Sequence, residues 1–222
     1  MTPERITSLG DELYDAWREH RTVAPLVERE PDITINHAYF IQLRFVERRV
    51  AAGERIVGKK IGVTSKAVQA MVGVSQPDFG QLTSGIVHDG GSPLQLDALI
   101  QPKAEAEVAF VLKHDLRGPG ITTTDVIRAT DYVVPCFEIV DSRIANWNIK
   151  IQDTIAAVQG GPVNAVVWLA NTLGRLGIPF LAGEVILSGS QSALVPVAAG
   201  DTLRCTVGGL GSCEVTFAGG GA

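Results

Sequence analysis

Acidic and basic side chains set inside apolar runs are the residues of this chain that could do chemistry. The most informative run is Gln101-Pro102-Lys103-Ala104-Glu105-Ala106-Glu107-Val108-Ala109-Phe110. On a β-strand side chains alternate, so Glu105 and Glu107 point one way and Ala104, Ala106, Val108 and Phe110 the other. Two carboxylates about 7 Å apart, at ~3.3 Å of rise per residue, repel each other unless a cation or water separates them. A solvent-facing strand decorated with glutamate is the plain alternative. A second run, Pro135-Cys136-Phe137-Glu138-Ile139-Val140-Asp141-Ser142-Arg143, sets Glu138 in a strongly apolar strand. A buried, unpaired carboxylate is costly and needs a partner, which Arg143 or Lys60 could supply. Alternatively, Glu138 completes a three-carboxylate, all-oxygen site with Glu105 and Glu107, of a kind that suits Mg²⁺ or Mn²⁺.

Two further stretches bear on such a site. In Gly58-Lys59-Lys60-Ile61-Gly62-Val63-Thr64-Ser65-Lys66, alternation sends Lys59 and Lys60 to opposite faces, so one is expected in solvent and the other inside a curved sheet. A lysine beside a metal-carboxylate cluster can shuttle protons; two surface lysines are the other reading. The polar stretch Gly73-Val74-Ser75-Gln76-Pro77-Asp78-Phe79-Gly80 reads as a loop that either carries Asp78 into a cleft or simply turns the chain.

The elements that must position these groups fall into two textures. Ile6, Leu9, Leu13 and Trp17 recur at helical spacing, and a second helix is expected from about Ile35 to Ala52, with Gly53 as its stop. Beyond it, short apolar runs between glycines and prolines dominate: RIVGKKIGVT, LIQPKAEAEVAFVLK, DYVVPCFEIV, EVILSGS, DTLRCTVGG and CEVTF. Two more helices interrupt them, near Thr124–Thr130 and from Pro162 to Leu176, the latter striped by Val163, Val166, Leu169, Leu173 and Leu176. Without regular strand–helix alternation, the expected class is α+β with a mixed, rolled β-sheet. At 222 residues and 23.6 kDa one domain is expected: a helical segment over 1–55 packed on a β-roll over 56–222.

Composition excludes some partners. A net charge of -5 argues against a nucleic-acid or anionic-membrane surface. Arg44, Arg48 and Arg49 read as a solvated helix face. Cys136, Cys205 and Cys213 show no CxxC pairing, and the four histidines show no metal-ligand spacing, so reduced thiols and no zinc site are expected. With no long apolar run at the start or elsewhere, a cytoplasmic protein is expected.

Taken together, LGDELYDAW, ERRVAAGERIVGKKIGVTSKAVQAMVGVSQPDFGQL, LIQPKAEAEVAFVLKHDLRGPG, VVPCFEIVDSRIANWNIKIQDTIA and GGPVNAVVWLANTLGRLGIPFLAGEVILSGS resemble the 2-hydroxypenta-2,4-dienoate (2-oxopent-4-enoate) hydratases. These form part of the hydratase/decarboxylase branch of the fumarylacetoacetate hydrolase superfamily. The sister 4-oxalocrotonate decarboxylases share the Lys60 region and both glutamate strands, whereas KKIGVTSKAVQ and QPDFG lean to the hydratases. The resemblance implies Mg²⁺ or Mn²⁺ held by Glu105, Glu107 and Glu138, proton transfer by Lys60 and Asp78, and Val108 in the pocket wall. It also implies a homo-oligomer acting in aromatic meta-cleavage catabolism, in association with 4-oxalocrotonate decarboxylase. One departure stands out. The family carries further strands between DTIA and the GxPVNAV helix, whereas here Ala156 runs straight into Ala157-Val158-Gln159-Gly160-Gly161-Pro162. A genuine deletion there would remove a wall of the site, and would favour a non-catalytic scaffold subunit as the alternative to an enzyme.

Overall fold

The computed structural model describes residues 1–63, 75, 77–88, 90–157 and 164–219, without the side chains of residues 164 and 165. Helix α1 (Pro3–Arg18) begins at Thr2, whose hydroxyl accepts from the Arg5 N–H at 3.3 Å, with Pro3 in the first turn. The long helix α3 (Ile35–Ala51) opens on a reciprocal cap between Thr34 and His37, and Gly53 follows it with φ 103°. The two helices bury Leu9, Leu13, Ile41 and Phe45 against each other. Their approach is close at Gly10, where a Cβ would meet the Arg44 Cβ at 2.6 Å.

Two short helices complete this layer, α2 (Leu26–Arg29) and α5 (Ile151–Ala157). The buried Asp153 joins them: one oxygen accepts from the Leu26 N–H at 2.7 Å and the other from the Lys150 N–H at 3.0 Å. Thus α5, from the part expected to build the roll, packs into the N-terminal core.

The strands are β1 (Ile56–Gly62), β2 (Asp78–Thr83), β3 (Leu94–Gln95), β4 (Lys103–Leu112), β5 (Thr130–Val140), β6 (Val185–Leu187), β7 (Val195–Pro196), β8 (Thr202–Val207) and β9 (Gly211–Ala218). One mixed sheet runs β2-β1-β6-β4-β5, with β7 beside β4, and a smaller sheet runs β3-β9-β8. Among the described residues, only β1 and β6 pair in parallel within the larger sheet. Along β4, Ala104 packs with Val215 and Phe217 of β9. Farther along the same face, Leu112 joins a core with helices α4 (Thr123–Ala129) and α6 (Asn164–Arg175). That leaves the opposite face of β4 to its glutamates. The helical expectations near 124–130 and 162–176 are met within a few residues, although residues 162 and 163 lie outside the described residues. Leu176, expected in the stripe, follows the end of α6 and is exposed.

Candidate metal centre

Glu105 on β4 stands directly opposite Glu138 on β5, and Glu107 stands opposite Cys136. Residues that face each other across antiparallel strands project from the same side, so the three carboxylates converge. One oxygen from each lies within 4.8 Å of the others. Glu107 and Glu138 are buried. Burial pushes the Glu138 carboxyl up to about 7, with the charge of Lys60 opposing and that of Glu105 adding to the rise. Burial also raises Glu105. Oε2 of Glu138 has no hydrogen-bond partner among the described residues. Three crowded carboxylates, one with an unpartnered oxygen and none joined by an imidazole, fit a hard divalent cation. The neighbouring Cys136 thiol, pushed up by burial and by Glu107, stays protonated and makes a poor ligand.

The segment just after β6 holds these carboxylates in place. Ser188 N–H donates to the Val108 carbonyl at 3.0 Å and Gln191 N–H to the Ala106 carbonyl at 2.8 Å, so residues 188–191 run beside β4. Gly189, at φ 93°, then aims its N–H at Oε2 of Glu107, 2.9 Å away. Ser190, whose hydroxyl donates to the Ser192 carbonyl, lies close enough to Glu105 to lower its carboxyl against the rise from burial. Sequence reading gave Gly189 and Ser190 no role. The only signal was the Ser-Gly-Ser that closes the EVILSGS run, and nothing local ties it to a strand some eighty residues away.

Lys60 and Asp78 meet on the same face. Both are about 1% exposed, and Nζ lies 3.7 Å from Oδ1. Asp78 is not on a loop: it is the first residue of β2, paired with Gly62. Lys60 stands opposite Gly80, where a Cβ would come within 2.8 Å of the Lys60 Cε, so any side chain there would make the end of the lysine shift. Burial raises the Asp78 carboxyl, and Lys60 opposes the rise. Because Lys60 also lowers Glu105 and Glu138, the five groups form one electrostatic cluster.

Three expectations need correction. Lys59 is not in solvent: alternation turns it into the core behind the sheet, where it bonds both oxygens of Glu184 and lies 5.4 Å from the Phe180 ring centre. Arg143 is not the partner of Glu138. It is buried 4.8 Å over the Phe45 ring, its guanidinium pulled down to about 10 by burial. Arg49 is not on a solvated face: it is buried over Trp17 and paired with Glu54. Val108, on the strand face opposite the glutamates by alternation, is buried, and its carbonyl anchors Ser188.

No family model matches the chain. Relatives do: it is 48% identical over 256 residues to the 2-hydroxyhexa-2,4-dienoate hydratase of Comamonas testosteroni, covering 96% of this chain and 97% of that one. The chain belongs to the dienoate hydratase family. A second hydratase, the 2-hydroxypent-2,4-dienoate hydratase of Pseudomonas putida, is 49% identical over 221 residues, covering 80% of this chain and all of that one. Among solved structures, the hydratase fold superposes on 4-oxalocrotonate decarboxylase from Pseudomonas putida G7, complexed with magnesium and adipate. The TM-score is 0.89 at 30% identity, over 98% of both chains. The alignment with the Comamonas hydratase runs over more positions than the 222 residues here, so that relative carries residues this chain lacks. The loss was expected directly after Ala156, which with Ala157 ends helix α5, and the residues from 158 to 163 lie outside the described residues.

Proposed function

We propose that this chain hydrates 2-hydroxypenta-2,4-dienoate (2-oxopent-4-enoate) to 4-hydroxy-2-oxopentanoate in aromatic meta-cleavage catabolism, with Glu105, Glu107 and Glu138 holding Mg²⁺ or Mn²⁺. The observation that carries this reading is the convergence of three carboxylates beside a buried Lys60–Asp78 pair. When bound, the cation supplies Lewis-acid stabilisation of negative charge on the 2-oxygen. The chain's own residues handle the protons. Conversion of the dienol to the conjugated ketone moves a proton from the 2-hydroxyl to C5, and addition of water across C3–C4 delivers hydroxide to C4 and a proton to C3. Lys60 and Asp78 are the groups placed to accept and return them. Asp78, raised by burial, holds its proton at higher pH than an ordinary aspartate and so can donate.

We also assign the protein to the cytoplasm as a homo-oligomer, able to associate with a 4-oxalocrotonate decarboxylase. Among the described residues, no helix is long and apolar enough to cross a membrane. Loss of dienol absorbance should need added Mg²⁺, stop with EDTA and fall with Glu105→Ala. Equal rates in all three conditions would remove the cation from the mechanism. Decarboxylation of a 2-oxo-3-enedioate is the weaker reading, because the hydratase relatives above are nearly half identical and the decarboxylase less than a third. Assaying CO₂ release from that acid separates the two. A non-catalytic scaffold would show neither activity.

A further inference from the structure

The register across β1, β6 and β4 determines what lies between the glutamates and Lys60. Lys60 pairs with Leu187, and Leu187 pairs with Ala109, so these three form one row across the sheet. With neighbouring strands ~4.8 Å apart, the row spans about 10 Å. Ile186 is fully buried in the core behind the sheet, so its neighbour Leu187 projects to the same side as Lys60 and the glutamates. Leu187 itself is only partly buried. Two residues on, Gly189 meets Glu107 and has no side chain. The strand under the site therefore sets Leu187, in the row of the lysine, between Val185 on one side and bare backbone toward the glutamates on the other.

This placement fits the two ends of the acid. Its carboxylate and 2-oxygen belong at the glutamate end, and C3 to C5 must reach Lys60 and Asp78 for proton transfer, so the distal carbons run over β6. The two relatives are named for acids of six and five carbons, and a contact at the distal end would sense that difference. We propose that Leu187 determines specificity: its side chain touches the distal carbons of the dienoate and limits the length of chain accepted. This inference rests on the hydration reading.

The test compares kcat/KM for 2-hydroxypenta-2,4-dienoate and its 5-methyl homologue, 2-hydroxyhexa-2,4-dienoate, in the unsubstituted protein and in Leu187→Ala, Leu187→Met and Leu187→Phe. One methylene in an apolar pocket discriminates by roughly 10-fold or more. The six-carbon to five-carbon ratio should therefore rise about 10-fold in the alanine variant, fall by a similar factor in the phenylalanine variant and stay within about twofold in the methionine variant. Should the alanine variant fail to fold, the phenylalanine variant alone decides the sign. An unchanged ratio in variants that still hydrate the five-carbon acid overturns the role of Leu187 and leaves the hydration reading intact. An unsubstituted protein inactive on both acids overturns that reading and this proposal with it.

Discussion

Glu138 sits where three effects compete: burial and Glu105 favour its protonated form, and Lys60 favours its charge. With a folded value of about 7, above the ordinary carboxylate range, its neutral form is the one the apoprotein stabilises. That stability is complete below the unfolded value and is lost as pH rises through about 7. A cation must displace the same proton, so Mg²⁺ affinity should weaken below about pH 7 and level off above it, with proton release on binding. Titration calorimetry in buffers of different ionisation enthalpy checks both. At Lys60, methionine keeps the aliphatic stem and removes the ammonium. Hydration should fall ~10²–10⁴-fold, the range for a positioned proton-transfer group, while circular dichroism shows a retained fold. Glu105 and Glu107 could be read as a pair from alternation alone. The burial of Lys59 could not, because its partner Glu184 is 125 positions away and nothing near Lys59 reveals it.

Among the elements, the stretch after β6 does the most positioning with the least local signature. Ser190→Ala should weaken Mg²⁺ or Mn²⁺ binding by about 10-fold, the lower end for loss of a group that orients a ligand, and should barely move the apoprotein Tm. Ser190→Thr, which keeps the hydroxyl, should restore affinity. A parallel fall in Tm would make Ser190 an ordinary structural residue. Helices α2 and α5 were not read from the sequence, α2 because four residues are too few to show a period. What holds them is Asp153. Asp153→Ala takes a carboxylate acceptor from the starts of both helices and should cost about 2 kcal/mol, ~1 per lost cap, measurable by urea denaturation. By contrast, α1 and α3 were legible, because each spans several turns with a continuous apolar stripe.

For the whole molecule, the α+β class and the rolled sheet followed from short apolar runs after a helical start. Strand order did not, since the parallel pairing of β1 with β6 joins segments more than a hundred residues apart. The connection between α5 and α6 is where the sequence leads one to expect a loss of residues, and intact mass tests it: a value of 23.6 kDa means the protein is made without the extra residues of its Comamonas relative. The tight crossing of Lys60 over Gly80 has an evolutionary corollary. A lineage that gained a side chain at position 80 would push the end of Lys60 aside and alter its approach to Asp78, so the two positions should tend to change together. Among homologous sequences, a lysine at 60 should face glycine at 80 more often than a bulky residue.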